Sequence, residues 1–166
     1  MSVLGDFARL SPEQLEEFRT MPSVDAYSQL ADFDEPGCRL DLDRTWSRLA
    51  FLIDAAHFPI NPITAGSFFP DERTAWGQDG DSRSLTPEQV AQAAVHLMST
   101  PFDVLAPHVH AALTAEYRGP LNKKQSRYVS DILPWITEHL AAYYRALVEF
   151  FDAAARNNQC TVFWAA

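Results

Sequence analysis

A chain of 166 residues that is 47% hydrophobic and 21% charged can bury a real core, so disorder is excluded and one domain over residues 1–166 is the expected organisation. Its formal net charge of −9, from 22 acidic against 13 basic residues, speaks against nucleic acid and anionic membranes, which need a concentrated basic surface, and favours a basic protein as partner. No apolar run approaches the roughly 18 residues of a membrane span, and residues 1–6 lack the basic start and apolar run of a signal peptide, so a cytoplasmic location is expected.

Residues 3–10, apolar at Val3, Leu4, Phe7, Ala8 and Leu10, read as a first strand. Ser11-Pro12-Glu13-Gln14 is a dense helix start: Ser11 can cap, Pro12 suits the first helical position, and Gln14 can close a capping box. Leu10 and Leu15 flank it as a staple. That helix yields at Met21-Pro22, and Ser23 is the expected cap of a second. Asp34-Glu35-Pro36-Gly37 marks a turn. Cys38 and Cys160 are too few for a disulfide framework and read as buried free thiols.

Leu40-Asp41-Leu42-Asp43 alternates like a short strand, and Asp43 is equally good as the N-cap of the next helix. From Trp46, a helix apolar most of the way round runs to about Ala56 and reads as buried. Residues 61–84, with Pro62, Gly66, Pro70, Gly77 and Gly80, are irregular, and Thr74-Ala75-Trp76 is a candidate strand. A connection this long is often functional. Thr86-Pro87-Glu88-Gln89 repeats the first helix start. Pro101 opens a further helical stretch that Pro107 kinks or divides. A polar loop with Lys123, Lys124 and Arg127 then leads to a long final helix, whose stripe is Leu133, Ile136, Leu140, Tyr144, Leu147, Phe151 and Ala154. Asn157-Asn158 ends it, and residues 160–164 read as a last strand. Helices between terminal strands give an α+β fold: a mostly helical domain, a small sheet built from the terminal strands, and a long C-terminal helix followed by a final strand. The two terminal strands are expected to pair, because an unpaired apolar strand is an aggregation hazard.

The run Leu40-Asp41-Leu42-Asp43-Arg44-Thr45-Trp46, followed by Leu49-Ala50-Phe51-Leu52, resembles the YfbM-like family, bacterial proteins grouped as a domain of unknown function. Asn61-Pro62-Ile63, Gly77 to Arg83 and Leu85 to Val90 are similar to later parts of its pattern, so the resemblance spans nearly the whole chain. It implies the fold and carries no activity.

For chemistry, Asp41, Asp43 and Arg44 form the best polar constellation. On a strand the two carboxylates share one face and could do acid/base work or hold a cation. The competing assignment makes Asp43 a cap and pairs Asp41 with a basic side chain. His108-Val109-His110 suits a metal only if extended; on a helix the two rings diverge, and no metal or other cofactor is expected. Asp79-Gly80-Asp81 lacks the remaining calcium-loop ligands. The leading expectation is a protein-binding module, in one form an immunity or antitoxin-like protein covering a basic toxin. Its candidate residues are Asp41, Asp43, Arg44, Trp46, Trp76, Asp79 and Arg83. The alternative is a small hydrolase with a site between the Asp41–Trp46 segment and the Gly77–Arg83 loop.

Overall fold

Ser11 and Thr86 cap as their sequences demand. In the computed structural model, which describes residues 3–70 and 82–166, each hydroxyl accepts the N–H three residues on, and Gln14 and Gln89 return the bond. These boxes start helix α1 (Pro12–Thr20) and helix α4 (Pro87–Ser99). Helix α2 (Ser23–Ala31) departs from expectation, since Pro22 holds the N-cap position and Ser23 is already helical. Helix α3 (Trp46–Ala55), the short α5 (Phe102–Leu105), a 3₁₀ turn (Ala106–His108) and α6 (Val109–Ala115) complete the middle of the chain, with Pro107 at the division.

Strands β1 (Gly5–Leu10), β2 (Arg39–Asp43), β3 (Ser67–Phe68), β4 (Arg83–Leu85) and β5 (Cys160–Ala165) form one sheet in the order β2-β1-β5-β4-β3. All neighbours are antiparallel. The terminal strands pair as expected, from Gly5 opposite Ala165 to Leu10 opposite Cys160. The sheet is larger than the two termini alone provide, because β2, β3 and β4 come from the interior of the chain.

Side chains alternate across the strands and feed two cores. Phe7, Leu42, Leu85 and Phe163 join a large core with α3, α4, α6 and the long helix α7 (Lys123–Arg156). Ala8, Leu10, Val162 and Trp164 face the other way, against Leu15 and Phe18 of α1 and Ala26 and Leu30 of α2. Arg39 ties this second layer together: it pairs with Asp6 at 2.7 Å, donates to the Ala31 carbonyl and lies over the Trp164 ring at 5.2 Å. Both cysteines are buried and unbridged.

The start of α7 corrects the expected polar loop. Asn122 accepts from the Gln125 N–H and Gln125 returns the bond, so Lys123, Lys124 and Arg127 are already helical. Pro134 therefore lies inside the helix. Its ring nitrogen has no hydrogen to donate, which leaves the carbonyl one turn earlier without its helical bond. The predicted stripe is otherwise the buried face: Ile136, Leu140, Tyr144, Leu147, Phe151 and Ala154 are all enclosed.

Candidate functional site

Strand β2 lies at one edge of the sheet, and Asp43 ends it with a left-handed φ of 49°. Asp and Asn tolerate that conformation better than most residues. The Asp43 N–H donates to Asp41 Oδ1 at 2.6 Å, a local bond that fixes the turn. This corrects both parts of the capping assignment. The N-cap position of α3 belongs to Thr45, whose buried hydroxyl donates to the Leu42 carbonyl, and Asp41 bonds backbone rather than a basic side chain.

Trp46 opens α3 half-buried rather than enclosed. Its indole N–H donates to the Val3 carbonyl at 3.2 Å, and its ring meets Phe163 at 5.5 Å. Gly5 lies directly beneath, where a Cβ would stand 2.6 Å from Trp46 Cβ. Trp46 thus anchors the turn to the sheet, while Asp41 and Arg44 remain exposed and Asp43 is half-buried.

Helix α7 supplies the other wall. Asp41, Ala142, Tyr143 and Ala146 line a shallow depression of about 180 Å³. Partial burial pushes the Tyr143 phenol above its ordinary value, and the nearby Asp43 and Asp41 carboxylates add to that effect. One turn earlier, His139 meets Tyr143 edge-on at 5.0 Å. One turn before that, Trp135 lies flat on His139 at 5.1 Å with 15° between the rings. Spacing by fours keeps all three rings on one side of the helix. Trp135 is 62% exposed, and Tyr128, seven residues earlier, is 56% exposed. Tyr128 lies close enough to Arg48 to count among the lesser causes that raise its pKa, behind the hydrogen bonds from Arg48 to Glu116.

The result is an aromatic stripe with carboxylates at Asp41 and Asp43 beside one end. Ring faces and carboxylates both attract cations, and Arg is the side chain that satisfies both at once. Asp6, opposite Asp41 in the sheet, is already paired with Arg39. Burial pushes its pKa up, and Asp41 contributes in the same direction, against the lowering effect of Arg39.

Arg83 belongs elsewhere. It stacks on Phe68 at 3.8 Å in strand β4, and β1 and β5 separate β4 from β2. Three strand spacings are about 14 Å, so Arg83 and Asp41 do not share a cluster. Trp76 and Asp79, with most of the Gly77–Arg83 loop and the candidate strand at Trp76, lie outside the described residues. His108 and His110 fall in the 3₁₀ turn and α6. Among the described residues, no three His, Cys, Asp or Glu side chains converge to hold a metal ion.

The residues that sequence reasoning missed are Trp135, His139 and Tyr143 as a set. Their signal was the four-residue spacing of rings beside the core stripe.

The family model described as "Domain of unknown function (DUF1877)" matches residues 1–164. The chain belongs to the DUF1877 family. The crystal structure of YfbM from Escherichia coli, described as a protein of unknown function, is similar to this DUF1877 chain with a TM-score of 0.50 and 15% sequence identity. The match covers 98% of this chain and 99% of that one, and at such identity the likeness concerns the fold alone. No curated protein matches the chain. No helix among the described residues of this DUF1877 protein is long and apolar enough to cross a membrane.

Proposed function

We propose that this chain is a protein-binding module whose α7 stripe and neighbouring Asp41–Asp43 turn take a basic segment of a partner protein. One observation carries this reading: Trp135 is stacked on His139 yet left 62% exposed. A held, solvent-facing Trp is the kind of anchor that dominates protein interfaces, since its large area is ordered before binding. Carboxylates at Asp41 and Asp43 and the net charge of −9 favour a basic partner and speed its encounter. An immunity or antitoxin-like role in the cytoplasm, covering a basic toxin, fits that chemistry.

A short arginine-rich peptide amide is the direct probe, with a glutamate-rich peptide as control. Titration followed by Trp fluorescence should saturate with the first and not the second. Trp135→Ala, and Asp41→Asn with Asp43→Asn, should each weaken binding about tenfold, which is roughly 1.4 kcal/mol. Undiminished binding in both variants would place the contact elsewhere and remove this reading.

A further inference from the structure

On the opposite side of α7 from the aromatic stripe, the helix leaves a groove against the end of α4 and the start of α5. Leu97, Met98, Phe102, Ala141 and Val148 give it apolar walls, and Tyr144, Thr100 and Arg145 also line it. Its volume is about 310 Å³, at the small end of the range that takes small molecules. The Tyr144 hydroxyl is already committed: it donates to the Thr100 carbonyl at 2.8 Å, and the Phe102 ring packs on Tyr144 at 5.8 Å. Burial raises the Tyr144 pKa to about 12, so the phenol remains neutral and sets no negative charge against Arg145. Among the described residues, the ion pairs of α7 join Arg127 to Asp131 and Arg156 to Asp152, at the two ends of the helix and away from Arg145. The groove thus combines an apolar floor with a guanidinium at its rim.

We propose that this groove binds a small aliphatic carboxylate, with the chain on Leu97, Phe102 and Val148 and the carboxylate on Arg145. Charge complementarity selects the ligand class: Arg presents a planar fork to a carboxylate, and such bonds are stronger than neutral ones. A volume of about 310 Å³ accommodates a short aliphatic chain beside Arg145.

The test uses the intact protein and sodium octanoate, with octan-1-ol as the uncharged analogue, in a calorimetric titration. Octanoate should bind saturably and about tenfold tighter than octanol. Arg145→Met keeps an apolar stem and changes an exposed residue, so it should melt with the wild type while losing about tenfold in octanoate affinity and little in octanol affinity. Equal affinity for the two compounds, undiminished octanoate binding by Arg145→Met, or no saturable binding would overturn the proposal. A short peptide with an apolar C-terminal residue that binds more tightly than octanoate would also overturn it, by making the groove a peptide site.

Discussion

Trp46 sits at the junction of turn, helix and sheet, and its contacts predict two losses. Trp46→Ala removes the bond to Val3 and the packing on Phe163, at a cost of about 3 kcal/mol. Gly5→Ala forces a methyl group into the Trp46 side chain and costs about 1–3 kcal/mol. Urea denaturation measures both; a stable Gly5→Ala protein would show that the indole can move aside. Asp6 gives a prediction in pH. Its folded-state pKa is raised, first by burial, so the native state holds the proton longer than the unfolded chain. Stability then falls as pH rises from the ordinary carboxylate value near about 3.9 through the raised one. Asp6→Asn removes this titration, so wild-type stability relative to the variant should decline across that window. Parallel stability–pH curves would contradict the assignment. Trp135 behaves oppositely to Trp46: its exposure predicts a change within about 0.5 kcal/mol on Trp135→Ala, with the loss confined to binding.

Helix α7 shows what a sequence reveals and hides at the scale of an element. The boxes at Ser11 and Thr86 were legible because cap, proline and glutamine lie within four residues. The Asn122–Gln125 box has the same chemistry, yet only polar residues follow it from Lys123 to Arg127, the apolar period opens at Val129, and Pro134 then interrupts it, so the true start was obscured. Strands β3 and β4 were illegible because two and three residues carry too little pattern; their partners specify them, as Arg83 opposite Phe163 does. The aromatic–acidic site was only half legible, since Asp41 and Tyr143 meet from distant parts of the chain. Pro134 yields a test of the element itself. Pro134→Ala restores a helical N–H at an exposed position, so it should stabilise the protein by about 2 kcal/mol and raise the melting temperature. A lower melting temperature would mean that the proline sets a bend the packing requires.

At the scale of the molecule, β5 is the shared wall. It pairs with β1 and β4 and contributes Phe163 to one core and Val162 and Trp164 to the other. Deleting residues 160–166 should abolish the cooperative thermal transition, because both cores lose a face; a cooperative melt in the truncated chain would show that the two layers fold without it. Around that frame, residues 41–46 and the outer face of α7 are held in place while Trp135, Tyr128 and Asp41 stay open to solvent. That ordered, exposed surface is the proposed dock for a basic partner. Chemical-shift mapping of the labelled protein with an arginine-rich peptide tests it most directly. Shifts should concentrate on Trp135, His139, Tyr143 and residues 41–44 and fade as salt rises. Shifts centred on the α4–α7 groove or on α1 and α2, with the Trp135 signals unmoved, would contradict it.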